Sequence, residues 1–256
     1  MSDAPPARDA LFENAARLKA DVADAARLSG RKPENITIVA ATKTVPPERI
    51  NLLPECGIFN MGENRVQELL EKYDYIDKER LTLHFIGKLQ TNKVKYIVDK
   101  VDMIHSVDSE KLAEEISRRC EKIGKVMKVL IEVNIGREQS KSGVFPEDVL
   151  PLAKSMLDMP GLELCGLMAI PPKIDYISVN DPNFAVKSEC NTSFPNYFQN
   201  VKQLALDISS KLDHNSNVHS GIMRILSMGM SGDYREAILN GADVIRPGRY
   251  LFGERQ

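Results

Sequence analysis

The chain has 256 residues, of which 43% are hydrophobic, enough for a sizeable core and compatible with two small domains or one large α/β barrel. Its 34 basic and 36 acidic residues nearly cancel to a formal charge of -2, so no basic surplus marks a nucleic-acid binder. The N-terminus is charged from the start and no apolar run approaches the roughly 20 residues of a membrane helix, which argues against a signal peptide and a spanning segment.

The elements follow in order. Residues 1 to about 7 read as a loose, proline-containing end. Leu11, Ala15, Leu18, Val22, Ala25 and Ala26 recur at helical spacing and predict an extra N-terminal helix ending near Gly30. Ile36 to Lys43 is a β-branched apolar run and predicts the first strand, which Pro46-Pro47 forbids to continue. Pro47 opens a helix ending near Gly57. Ile58 to Met61 is a short strand running into Gly62-Glu63-Asn64, and a helix continues to about Tyr73. Leu83 to Ile86 is the third strand, followed by Gly87 and a polar turn at Gln90-Thr91-Asn92-Lys93. Met103 to His105 is the fourth.

Asp108 or Ser109 caps a helix that Gly124 stops. Met127 to Val133 is the clearest strand. A loop through Gln139-Ser140-Lys141-Ser142-Gly143 leads to a helix opened by Pro146, and Leu164 to Ala169 is the sixth strand. Residues 171–195, with Pro171, Pro172, Pro182 and Pro195, read as a long loop or insertion. Phe198 to Leu212 restores helical spacing, and residues 213–221 are again a polar loop. Met223 to Ser227 is the seventh strand, Ser231 or Asp233 caps the next helix, and Val244 to Arg246 is the eighth. This alternation predicts a closed (β/α)₈ barrel as one domain over 1–256. An open doubly wound sheet is the alternative, and the missing G-x-G-x-x-G after the first strand weighs against it. The four cysteines form no CxxC pair and no metal spacing, and read as reduced thiols of a cytoplasmic protein.

Function in such a barrel sits at the C-terminal ends of the strands. Lys43, Asn64, Asn134, Ser227 and Arg246 all fall there. A lysine at the tip of a core strand either snorkels out to solvent or has a job. Ser227-Met228-Gly229-Met230-Ser231-Gly232-Asp233 leads into a helix start, and Arg246-Pro247-Gly248-Arg249 adds a glycine turn and cations. Loops after the seventh and eighth strands are the usual phosphate grip of barrel enzymes, although capped helices with glycine turns look alike. A phosphate grip and a strand-end lysine suggest a phosphorylated carbonyl ligand, because lysine amines form Schiff bases with aldehydes, pyridoxal phosphate (PLP) among them. Burial and the nearby Arg246 would lower the amine's pKa from its usual value of about 10.4. Arg246, if it met a pyridine nitrogen, would donate without giving up its proton and leave the ring a poorer electron sink.

Several stretches are similar to the pyridoxal-phosphate homeostasis family, also called the proline synthetase co-transcribed homologue family. They are Val39 to Thr44, Gly62 to Glu68, His84 to Lys93, Gln139 to Gly143, Gly166 to Met168, Leu226 to Ser231, Val244 to Gly248, and Phe252-Gly253. The resemblance implies a barrel like the N-terminal domain of alanine racemase, fold type III among PLP proteins. It implies PLP held as a Schiff base on Lys43, with Asn64 near that bond. Ser227, Met228 and the turn around Gly248 would hold the phosphate, with Ser231 close by, and Arg246 would face the pyridine nitrogen. Two features depart from the family pattern. Arg249 stands where a small hydroxyl residue is usual, and the segment 171–221 is long and irregular.

Racemases of this fold add a tyrosine from a second domain across a dimer. This chain ends just after the eighth strand, and none of its tyrosines carries a motif marking it as the acid. The resemblance therefore implies a monomeric PLP carrier or buffer serving apo PLP-dependent enzymes, with no robust catalysis. A racemase or aldolase using Lys43, with His84 or water as second acid, is the rival. A barrel binding a sugar phosphate without PLP is a third reading. Lys141, on the rim after the fifth strand, is either a solvated loop lysine or the site of a second, labile Schiff base.

Overall fold

The structure is a computed structural model and describes residues 5–172, 196–213 and 223–253. Eight strands run in chain order around it: β1 Thr37–Ala41, β2 Asn60–Glu63, β3 Thr82–Phe85, β4 Met103–Val107, β5 Met127–Val133, β6 Leu162–Ala169, β7 Ile225–Ser227 and β8 Val244–Ile245. Each pairs in parallel with the next, and β8 returns to β1 through Thr37↔Val244 and Ile38↔Ile245, which closes the barrel. The open-sheet alternative is thereby excluded. Strands covered on both faces read as apolar runs, and β5 (Met-Lys-Val-Leu-Ile-Glu-Val) buries every residue but Lys128.

The helices are α1 Pro5–Leu28, α2 Pro47–Ile50, α3 Val66–Tyr73, α4 Glu110–Lys122, α5 Val149–Leu157, α6 Tyr197–Asp213, α7 Tyr234–Leu239 and α8 Arg249–Phe252. The periodic stripe Leu11, Ala15, Leu18, Val22, Ala25 and Ala26 of α1 is wholly buried. The helix is tied to the elements that follow β7 and β8. Tyr234 Oη donates to Asp21 at 2.8 Å, and Asn14 donates to the Leu251 carbonyl at 3.2 Å. Arg31, just beyond α1, donates to the carbonyls of Ile238 (2.7 Å) and Ala242 (2.9 Å) and to Asp243 (3.2 Å). A cation there satisfies orphan carbonyls at the end of α7. The partner carboxylate, Asp243, accepts the Leu226 N–H at 2.9 Å, so the approaches to β7 and β8 are fixed together.

Several expected boundaries move. Helix α1 begins at Pro5, inside the stretch expected to be loose. β1 ends at Ala41, so Lys43 lies in a turn beyond the strand rather than at its tip. β2 starts later than expected and takes in Gly62 and Glu63. Gln90 begins a 3₁₀ turn over Thr91–Tyr96 instead of a plain polar turn. Ser109 stands at the head of α4 without a side-chain cap, its hydroxyl lying 3.4 Å from Asp108. The expected loops at 171–195 and 213–221 fall almost entirely outside the described residues.

Candidate functional site

At the C-terminal mouth of the barrel is a cavity of about 390 Å³. It is lined by Ala41, Lys43, Asn64, Ile86, Ile170, Met230, Ser231, Arg246, Gly248 and Arg249, the residues that end or follow β1, β2, β3, β6, β7 and β8. Six of the eight expected site residues meet there: Lys43, Asn64, Ser231, Arg246, Gly248 and Arg249. Ser227 and Met228 do not. Both are wholly buried, and the Met228 N–H is spent on the Val244 carbonyl at 3.0 Å. They belong to the barrel wall behind the site: Ser227, the last residue of β7, faces the interior at His105 and Arg246, and Met228 packs in the main apolar core.

Lys43 sits second in a tight turn closed by the Val45 N–H on the Thr42 carbonyl, 2.9 Å. The third residue, Thr44, has φ 63°, a left-handed conformation that a β-branched residue adopts only under constraint.

Arg246 is almost fully buried behind the cavity. Its guanidinium donates to Ser227 Oγ (2.6 Å) and to the Ala169 carbonyl (3.0 Å), and burial lowers its pKa to about 10. Beyond Ser227 a polar chain crosses the barrel interior. Ser227 Oγ is 2.9 Å from His105 Nδ1, His105 Nε2 is 2.9 Å from His84 Nδ1, and His84 Nε2 is 3.1 Å from Asn60 Oδ1. Asn60 Oδ1 can only accept, so His84 Nε2 carries a proton, and between two neutral rings that fixes the direction of the series. Ser227 accepts from Arg246 and donates to His105, His105 donates to His84, and His84 donates to Asn60. Burial pushes His84 down to about 4 and His105 well below the usual histidine range.

The loops after β7 and β8 are joined at Ser231, whose Oγ accepts the N–H groups of Gly248 (3.0 Å) and Tyr250 (3.1 Å). The Arg246 N–H donates to the Gly229 carbonyl at 2.8 Å. A Cβ on Gly248 would stand 3.1 Å from the Ala41 carbonyl oxygen, so glycine lets the turn close onto β1. The result is a small cup formed by the Ser231 hydroxyl, the Gly248 turn and Arg249. Arg249 is exposed at its edge, which settles where the departure at this position leaves its charge.

Opposite, Asn64 presents a buried Oδ1 with no hydrogen-bond partner among the described residues. Its peptide is packed against Gly87, where a Cβ would lie 2.1 Å from the Asn64 carbonyl oxygen. Asn134 is structural. It donates to the Glu138 carbonyl (2.8 Å) and accepts the Glu138 N–H (3.0 Å), closing the loop after β5 on itself. Lys141 pairs with Glu138 at 2.5 Å and does not line the cavity. His84 lies in the interior series rather than at the mouth. Among the described residues, those lining the cavity include no tyrosine, histidine, carboxylate or thiol.

Barrel and site together define a class: the chain belongs to the family of the alanine racemase N-terminal domain, whose model matches residues 14–256. Within it, full-length relatives share one name. The pyridoxal phosphate homeostasis protein of Aquifex aeolicus is 40% identical over 95% of this chain and 98% of its own length. The protein of that name from Escherichia coli K12 is 31% identical over 96% and 97%. Among solved structures, an unknown protein from Bifidobacterium adolescentis has a TM-score of 0.81 at 30% identity, covering 98% of this chain and 97% of that one. PipY of Synechococcus elongatus with PLP bound has a TM-score of 0.73 at 27% identity, covering 95% and 100%. An alanine racemase of Clostridium difficile 630, 16% identical with a TM-score of 0.68, covers 95% of this chain and 57% of its own and shares the fold alone.

Proposed function

We propose that this protein binds PLP and acts in intracellular PLP homeostasis, as a carrier or buffer of the cofactor rather than as a catalyst. The observation that carries the reading is the cavity at the mouth. It gathers a lysine, a buried arginine and a hydroxyl-lined cup, and among the described residues no second acid–base side chain lines it. The residues fit the cofactor. The cup at Ser231 and Gly248 suits a phosphate, with Arg249 adding charge at its rim. Ile86 and Ile170 supply apolar walls for a flat ring. Arg246, held by Ser227 and Ala169, would face the ring nitrogen as a donor. Asn64 Oδ1, without a partner among the described residues, would accept a donor from a ligand.

When bound, PLP supplies an aldehyde that condenses with a lysine amine, and Lys43 is the amine at this site. Ser227 and Met228 serve from behind, Ser227 by holding Arg246. A racemase needs a proton donor on each face of the substrate carbon, and the described lining offers no second acid–base side chain besides the Lys43 amine. His84, the candidate second acid, is bonded to Asn60 and His105 inside the barrel, which weighs against the racemase or aldolase reading.

The same reading places the protein in the cytoplasm as a monomer that hands the cofactor to apo enzymes. Buried thiols at Cys56, Cys120 and Cys165 suit a reducing compartment. No helix among the described residues is long and apolar enough to cross a membrane. The test of the carrier reading is turnover. Purified protein loaded with PLP should show no sustained conversion of any amino acid. Turnover that is lost in Lys43→Ala would reject the reading in favour of an enzyme.

A further inference from the structure

A buried ion cluster ties α3 to the turn that carries Lys43. Lys72 Nζ donates to the Thr42 carbonyl (2.9 Å), Glu63 Oε1 (2.9 Å) and Glu68 Oε1 (2.6 Å). That accounts for all three of its hydrogens. Glu63 is fully buried, Lys72 nearly so, and Glu63 Oε1 also accepts the Thr42 hydroxyl at 2.7 Å. Glu68 Oε1 further accepts the Thr44 N–H. The Thr42 carbonyl and the Thr44 N–H belong to the two peptide groups that flank the Cα of Lys43. Both end in this one cluster.

Two physical points ask for a reason beyond stability. A buried ion pair is often no more stabilising than an apolar replacement of the same volume, because desolvation consumes the Coulombic gain. And the turn it holds is strained, since Thr44 sits at φ 63° where glycine or asparagine would be at ease. Such strain persists only where the surroundings over-determine the backbone, and it collects at functional sites. Here the determinants are identified: Lys72 holds the peptide before Lys43 and Glu68 the peptide after it.

We infer that Lys72 and Glu68 are positioning residues that hold the Lys43 turn in the conformation from which its amine meets an aldehyde in the cavity. The inference rests on the PLP reading above and names the device that makes Lys43 the reactive lysine. In the condensation the neutral amine forms a C=N bond with the aldehyde carbon. The C=O bond breaks, and its oxygen leaves as water with the two amine hydrogens. Misplacing the amine by about 1 Å costs on the order of 100-fold in such a reaction. The phosphate cup, the arginine and the apolar walls are built by other elements and do not depend on this cluster.

Two probes separate the roles. Pyridoxal 5'-phosphate can bond to the lysine, whereas pyridoxine 5'-phosphate carries an alcohol in place of the aldehyde and reports only the non-covalent grip. Lys72→Met and Glu68→Ala are made in the full chain and checked for fold by circular dichroism. The growth of the visible band with pyridoxal phosphate should slow about 10- to 100-fold in both, while the dissociation constant for pyridoxine phosphate stays within about twofold. Unchanged band growth would overturn the inference, and so would a parallel loss of pyridoxine phosphate, which is what general damage to the site would give. Should Lys72→Met not fold, Glu68→Ala carries the test, since Glu68 lies nearer the surface. If the wild-type chain forms no band, or forms it on another lysine, the PLP reading itself fails and takes the positioning role with it.

Discussion

Arg246 Nη1 donates to Ser227 Oγ at 2.6 Å, so a cation at the mouth of the barrel is held by a hydroxyl in its interior. Removing that hydroxyl strands two buried groups at once, the guanidinium N–H and His105 Nδ1. Ser227→Ala should lower stability by about 1–3 kcal/mol in denaturant unfolding. Because the two residues share one interaction, Ser227→Ala and Arg246→Met combined should cost less than the sum of the two alone. Strict additivity would show that Ser227 acts independently of Arg246.

The neutral histidine pair gives the fold a pH dependence of known sign. His84 titrates near 4 when folded and near 6.5 when unfolded, so between those values the unfolded chain binds more protons and stability rises with pH. Its contribution is complete above 6.5 and is lost on acidification, amounting to about 2 kcal/mol at pH 5. Burial raises the carboxyls of Glu63 and Glu132, which pull the opposite way, so the histidine is read by difference. The stability lost between pH 7 and pH 5 should be smaller in His84→Gln than in the wild type by about that amount. Equal losses would mean that His84 is not the buried neutral group described.

Gly87 sets the position of Asn64 without lining the cavity. A Cβ there would press on the Asn64 carbonyl oxygen at 2.1 Å, a backbone contact that cannot rotate away. Gly87→Ala should therefore weaken pyridoxine phosphate binding, by on the order of tenfold, if Asn64 contributes a bond of about 1.4 kcal/mol to the ligand. Calorimetry with Asn64→Ala alongside gives the comparison: the two variants should lose similar affinity.

Much of the site could be read from the chain, because Lys43, Asn64, Ser231, Arg246, Gly248 and Arg249 follow strand ends that apolar runs and glycine turns announce. Ser227 and Met228, expected beside the phosphate, do not line the cavity, since a strand-end residue faces the mouth or the core according to where the strand stops, and sequence places that only to within a residue or two. His84, on the expected third strand and the candidate second acid, is bonded instead to Asn60 and His105, 24 and 21 residues away. His105 itself passed as a plain strand residue. The Lys72–Glu63–Glu68 cluster was missed as well. The Glu68–Lys72 spacing of four was visible as a helix pair, but the partners that give it meaning, Thr42, Thr44 and Glu63, meet it only through β1–β2 pairing.

The most direct measurement is the visible spectrum of the full chain with equimolar PLP, followed by borohydride reduction and mass mapping of the modified lysine. The account predicts a yellow protein with one pyridoxyl group, on Lys43, and none in Lys43→Ala. A protein that stays colourless with added PLP, or one modified at Lys141 in place of Lys43, would contradict it.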